Sequence, residues 1–168
     1  MKKTILRNFL EIYSLSDLKK VENPSINLNL VETKDFQLNK FLYKQIGKKH
    51  NWLDRLNWSD QNWIQYVSQK NLYTYILKDN EDLVGYFELN LNEEKKEAEI
   101  VYLGILQEYY GKKIGAFLLS EAIQKSFSLN SQRVWVHTCS LDHKHALKNY
   151  ISRGLKIFKT ETLKVEIA

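Results

Sequence analysis

The chain is poor in the residues that staple, kink or loosen a fold. Of 168 residues, one is cysteine, one is proline and six are glycine. A lone Cys139 forms no internal disulfide and supplies no cysteine-rich zinc site, so small staple-dependent folds are excluded and no metal is expected. With so little proline and glycine, long flexible linkers are not expected, and no internal repeat or low-complexity tract is visible. No apolar run approaches the roughly 18 residues needed to span a bilayer, so no membrane partner is expected. The opening Met1-Lys2-Lys3 has the charge of a signal peptide, but Arg7, Asn8 and Glu11 interrupt the apolar stretch that should follow. A cytoplasmic location is the expectation.

What is present describes an ordinary globular chain. Hydrophobic residues make up 43 % and charged residues 27 %, and a chain of this length buries about 70 % of its unfolded surface. One domain over residues 1–168 is expected. Lys plus Arg number 25 against 20 acidic residues, a net charge of +5, which suits an anionic ligand such as a coenzyme or a nucleic acid. The basic pairs Lys19-Lys20, Lys48-Lys49, Lys95-Lys96 and Lys112-Lys113 lie far apart with acidic residues between them. A nucleic-acid binder concentrates such charge on one stripe, so no nucleic acid is expected as a partner.

Hydrophobic alternation predicts strands over Ile5 to Leu15 and Ile26 to Glu32. Asp35 caps a helix from Phe36 to Gly47, and Ser59 begins a second, shorter one. Strands over Leu72 to Leu77, Leu83 to Leu91 and Glu97 to Leu106 form an antiparallel meander. A helix from about Gly111 to Leu129, a strand over Arg133 to Thr138, a helix from Asp142 to Arg153 and a last strand over Lys156 to Ile167 follow. This order predicts an α/β (α+β) mixed sheet flanked by helices.

The strand–loop–helix around Gly111 is the most informative stretch. The N–H groups of a helix N-terminus bind phosphates. Gly111 allows close backbone approach, and Gly115 lets the helix pack against a strand or a ligand. Lys112 and Lys113 in a first helical turn oppose the macrodipole unless an anion is near.

Residues 102–119, YLGILQEYYGKKIGAFLL, resemble the acetyl-CoA pyrophosphate loop of the GNAT N-acetyltransferase superfamily, a strand followed by Gln/Arg-x-x-Gly-x-Gly/Ala. Tyr110 stands where Gln or Arg is usual and Lys113 where the central Gly is usual, while Gly115 matches. Residues 134–161 are similar to the family's second acetyl-CoA segment, with Ala146, Tyr150 and Gly154 at its spacing and His143 where many members carry Asn. The segments HTCSLDH and NWLDRLNW are also similar to a bacterial subgroup.

The resemblance implies a GNAT-like, mostly antiparallel sheet and acetyl transfer from acetyl-CoA to a primary amine by direct attack in a ternary complex. It implies that the N–H of Ile105 meets the thioester carbonyl, and that amides from Leu106 and from Tyr110, Gly111, Lys112, Lys113, Ile114 and Gly115 hold the coenzyme, with His143 and Tyr150 beside it. Tyr150 is the general-acid candidate, since a phenol can donate to a developing thiolate. Glu99, read as sharing a strand face with Val101, Leu103 and Ile105, is the first candidate base, and Glu88 on the preceding strand is the second. Trp52, Asp54, Arg55 and Trp58 are candidates for an acceptor wall, Asp54 for an ammonium and Arg55 for a carboxylate; the alternative is a self-contained cluster that anchors the loop. His137 is a further substrate-side candidate, as a proton relay. His143 and His145 point to opposite sides of a helix, which disfavours a metal site. A non-catalytic acyl-CoA binder on the same fold is the alternative function. The acceptor expected is a small molecule, with the charged loop leaning towards one that carries both charges. The free edges of such a sheet leave room for a homodimer.

Overall fold

Alternating burial along Lys2–Ile12 (β1) sends Leu10 and Ile12 to the core, while Arg7 and Phe9 face the other way. The computed structural model describes residues 1–168. After β1 come Leu28–Thr33 (β2), helices Phe36–Gly47 (α1) and Asp60–Val67 (α2), and strands Leu72–Asp79 (β3), Asp82–Asn92 (β4) and Glu97–Ile105 (β5). Helix Ile114–Ser128 (α3), strand Arg133–Cys139 (β6), helix Ala146–Ser152 (α4) and strand Lys156–Glu166 (β7) complete the chain. No helix is long and apolar enough to cross a membrane.

The seven strands form one mixed sheet in the order β2-β3-β4-β5-β6-β1-β7. Every pairing is antiparallel except β5 with β6. Helices cover both faces. On one, α3 and α4 bury Phe117, Leu118, Ala122 and Tyr150 against Leu10, Phe87, Ile100 and Val134. On the other, α1 and α2 bury Leu42, Tyr43 and Trp63 against Ile76 and Tyr86. Burying each such side chain contributes about 1.5–3 kcal/mol, so the two layers hold the sheet from both sides.

The meander and the sequence-predicted helix starts at Asp35 and Ser59 match: Asp35 accepts from the Gln37 amide, and Ser59 forms a reciprocal capping box with Asn62. Two other helices start later than their composition suggests. Gly111 (φ +80°) and Lys113 (φ +62°) both take left-handed backbone, so α3 begins at Ile114 and its lysines precede the first turn. Residues 142–145 form a turn in which the Asp142 carboxylate accepts from the Cys139 amide, so α4 begins at Ala146. The first strand stops at Ile12 because Ser14 caps a single 3-10 turn.

Candidate active site

Strands β5 and β6 are hydrogen-bonded only where Glu97–Glu99 lie beside Arg133–Trp135, and then they separate. A cavity of about 660 Å³ occupies the opening, with β5 residues 100–105 on one side and Val136, His137 and Cys139 of β6 on the other. A β-bulge initiates the divergence. Leu89 pairs with Ile100 and Glu88 with Tyr102, which leaves Val101 as an extra residue on β5. Such an insertion bends the bulged strand and increases its local twist.

The bulge also shifts the phase of β5. Residues paired across antiparallel strands share a face, so Glu99, opposite Asn90, lies on the face of Tyr102, Gly104 and Glu88. Simple alternation places it with Val101, Leu103 and Ile105, and that expectation is corrected. Glu99 is half-buried and does not line the cavity. Its pKa is raised by burial first and by the nearby Glu88 charge second, with Arg55 opposing.

Past the bulge, the Leu106 N–H donates to the Val84 carbonyl at 2.8 Å. Alternation along an antiparallel ladder then turns the Ile105 N–H away from β4, towards the opening. Leu106 itself packs with the α1–α2 cluster and does not line the cavity. Its amide is therefore unavailable to a ligand there, a correction to the sequence expectation.

On the α3 side, the first helical residues form the cavity floor. Lys113 provides no side-chain cap, and the first helical bond runs from the Phe117 N–H to the Lys113 carbonyl. The Ile114, Gly115 and Ala116 amides precede that bond and are free to meet an anion, as at other helix N-termini, whereas the Tyr110 N–H donates to the Gln107 carbonyl at 3.1 Å, a correction to the sequence expectation for its amide. A Cβ placed on Gly111 or Gly115 would meet no protein atom within 4 Å. Gly115 therefore faces open cavity and does not pack on a strand. Tyr110, Gly111, Lys113, Ile114 and Gly115 all line the cavity, whereas Lys112 does not: its ammonium lies 5.6 Å above the Tyr109 ring.

Helix α4 closes this side. Asn149 Nδ2 donates to the Gly115 carbonyl at 3.3 Å and holds α4 against the start of α3. Tyr150 is buried in the cavity wall, and its hydroxyl has no side-chain or main-chain partner. Burial raises its pKa, with the Asp142 charge adding to the effect, so the phenol keeps its proton. His143 packs edge-on against Tyr110 at 4.8 Å, and the Tyr110 hydroxyl lies 3.4 Å from His50 Nε2. These contacts link three loops around the rim.

On the opposite side, the loop after α1 divides its residues between two tasks. Trp52 and Asp54 line the cavity, with the Trp52 and Tyr102 rings 4.6 Å apart and the Tyr102 hydroxyl donating to Asp54 Oδ2 at 3.3 Å. Arg55 and Trp58 do not line it. Arg55 is 4 % exposed, and its guanidinium forms two parallel bonds to Glu88, at 2.8 and 2.9 Å. It sits among the rings of Tyr66 (4.1 Å), Tyr102 (4.7 Å), Trp58 (4.9 Å), Tyr43 and Trp63. Glu88 is fully buried and also accepts from Asn39 Nδ2 at 2.8 Å. Two sequence expectations are thereby corrected: Arg55 is not free for a substrate carboxylate, and Glu88 is not free to act as a base. Trp58 belongs to the aromatic enclosure.

His137 faces the cavity from β6, and burial first, then Arg7, lower its pKa. The Cys139 thiol is pushed up by burial and by Asp142 and stays protonated. No group of three or more His, Cys, Asp or Glu residues is arranged to hold a metal ion. Sequence reasoning did not find the contributions of the chain ends, Ile5 and Arg7 from β1 and Val165 and Glu166 from β7, nor those of Lys148, Asn149 and Arg153 on α4 and its C-terminal side. Asn149 and Arg153 flank Tyr150 and Gly154 in the recognised block, a signal that was available. Nothing local marks Arg7.

The sequence model of the Acetyltransferase (GNAT) family matches residues 35–155. No curated protein sequence matches the chain. Among solved structures, a GCN5-related N-acetyltransferase from Sphaerobacter thermophilus superposes with a TM-score of 0.71 at 12 % identity, over 96 % of this chain and 50 % of that one. A GCN5-related N-acetyltransferase from Kribbella flavida gives 0.68 at 12 % identity, over 97 % and 58 %. This chain thus spans between half and two thirds of those two proteins. An aminoglycoside acetyltransferase, meta-AAC0020, from an uncultured soil metagenomic sample, solved with sisomicin, gives 0.65 at 16 % identity, over 76 % and 87 %.

Proposed function

From the premise that this chain belongs to the acetyltransferase (GNAT) family, we propose that it transfers an acetyl group from acetyl-CoA to a primary amine by direct attack within one ternary complex. The observation that carries this reading is the cavity through the sheet. One part of its wall has the free amides of α3 and another has Asp54 and His137, so a donor on the first and an acceptor on the second would meet beside the Ile105 N–H.

The residues present fit the coenzyme. Gly111 and Gly115 leave open space where a side chain would intrude, and the α3 N-terminus with Lys113, Lys148 and Arg153 offers donors to phosphates. Bound acetyl-CoA supplies an activated acyl carbon and a thiolate leaving group. The Ile105 N–H, turned away from β4, is the donor this reading gives to the carbonyl oxygen as negative charge develops on it. Tyr150, held protonated, has a hydroxyl free to donate to the departing sulfur. His137, held neutral by its depressed pKa, offers a lone pair for the N–H proton that the amine nitrogen loses as it bonds to the acyl carbon. Cys139 stays a thiol, which favours direct transfer over an acyl-enzyme.

The test is thiol release from acetyl-CoA against a panel of amines, with the product identified by mass. The reading predicts stoichiometric CoA and N-acetyl amine, with turnover reduced about 10²–10⁴-fold in His137→Gln if His137 is the general base. Coenzyme binding without release on any amine contradicts catalysis and leaves a binding protein.

A further inference from the structure

The charged side chains around the cavity are segregated by end. At the α3 end, Lys113, Lys148 and Arg153 line the wall. Asp142, a carboxylate in the same lining, is held by the Thr138 hydroxyl and the Cys139 amide. At the opposite end stand Asp54, Glu166 and Arg7. Arg7 pairs loosely with Glu161, at 3.5 Å, a carboxylate it shares with Lys159, and its buried Nε has no partner. Glu166 has only the N-terminal ammonium at 3.5 Å, a contact between two largely exposed groups that contributes little.

Asp54 differs from both. It forms no ion pair, and its one polar side-chain contact is the Tyr102 hydroxyl. The adjacent cation, Arg55, is turned inward and taken by Glu88. Asp54 is therefore a carboxylate without a counter-ion, set beside the Trp52 and Tyr102 rings in the wall of a cavity large enough for a small molecule. A carboxylate next to aromatic faces selects ammonium groups by charge and by cation–π attraction.

We propose that the acceptor is a polycationic amine, with at least one ammonium besides the reacting nitrogen, and that the second ammonium docks at Asp54 beside the Trp52 and Tyr102 rings. The inference rests on the acetyl-transfer reading of the same cavity. In the step itself, the free nitrogen bonds to the acetyl carbon as the carbon–sulfur bond breaks. The electron pair leaves on sulfur, which is protonated from Tyr150, and His137 takes the proton lost by nitrogen. The docked ammonium keeps its charge throughout.

Three primary amines of one chain length separate this proposal from its rivals: 1,4-diaminobutane, butylamine and 4-aminobutanoate. Their far ends are cationic, neutral and anionic. Initial rates of CoA release at constant ionic strength should give kcat/KM about tenfold higher for the diamine than for butylamine, with 4-aminobutanoate lowest. In Asp54→Asn the diamine-to-butylamine ratio should fall towards one, chiefly through KM. A tri-amino aminoglycoside serves as a bulky polycation; preference for it or for the linear diamine distinguishes two sources of the same chemistry, and either supports the proposal. Equal rates for the three four-carbon amines, or preference for 4-aminobutanoate, overturn this inference alone. No release from any amine overturns the acetyl-transfer reading, and this inference with it.

Discussion

Two adjacent residues, Asp54 and Arg55, show how far a single position can depart from its composition. Both carry charge in an aromatic-rich loop, and they read alike in sequence. Arg55 is buried in a ring enclosure and pairs with the fully buried Glu88, whereas Asp54 stays at the cavity. Removing one partner of such a pair leaves an uncompensated buried charge. Arg55→Ala is therefore expected to destabilise the fold by about 3–5 kcal/mol, measured by urea unfolding, while the double change Arg55→Met with Glu88→Leu recovers much of that loss. Equal stabilities for the single and double variants would show that Glu88 has another counter-ion.

The histidines make a second prediction at this scale. His50, His137 and His143 are each held below the ordinary imidazole value of 6.5, in every case by burial first. As pH falls below 6.5, the unfolded chain takes up these protons before the folded chain does, so folding stability decreases with acidification. The stability is fully present above 6.5 and is lost through the window between 6.5 and the lower folded values. Glu99 acts in the opposite sense: its raised pKa favours the folded state below the ordinary carboxylate value of 4.5, and that contribution fades as pH rises. Urea midpoints between pH 7.5 and 5.5 should fall on the acid side, and His137→Gln should reduce the slope. A flat profile contradicts the assignment.

At the scale of elements, the helices and strands were legible because their apolar periods are strong. The phase of β5 was not. One extra residue at Val101 reverses the alternation, and it moved Glu99 from the expected face to the one shared with Glu88. No residue type marks a bulge of this kind, because it is set by the pairing with β4. The late start of α3 was hidden for a related reason: Lys113 adopts left-handed backbone at a cost of about 1–2 kcal/mol, which a composition-based reading does not anticipate. The close approach of β4 to β5 gives the test at this scale. A Cβ on Gly85 would strike the Gly104 carbonyl and crowd Ile105, so Gly85→Ala must displace the strand that presents the Ile105 amide. A stability loss of about 1–3 kcal/mol should be accompanied by a drop in turnover that persists at temperatures where the variant is fully folded. Unchanged turnover would show that the Ile105 amide plays no part.

For the whole molecule, the order of the sheet is the main departure from what local sequence conveys. The family match begins at residue 35 and ends at 155, so β1 and β7 lie outside it. Yet β1 lies between β6 and β7 and pairs with both. Alternation identified residues near Ile5 as a strand, but a strand's own residues do not state its neighbours. The arrangement ties the chain ends to the cavity: Asn51, in the loop that carries Trp52 and Asp54, donates to the Glu166 carbonyl and accepts from the Ala168 amide, each at 2.9 Å. Deleting residues 1–12 would strip hydrogen-bond partners from two strands at once, and the shortened chain is expected to be insoluble or unfolded by circular dichroism. A folded, coenzyme-responsive product would show that β1 is dispensable.

The most direct test of the central claim, that the cavity through the sheet is an acetyl-CoA site, is the thermal midpoint of the protein with acetyl-CoA, CoA, ATP and no ligand. A ligand at about 100 times its dissociation constant stabilises by about 2.7 kcal/mol, or roughly 5–10 °C for a domain of this size. The account predicts that acetyl-CoA and CoA raise the midpoint in a saturable way and that ATP does not. No shift with either coenzyme at millimolar concentration would contradict it.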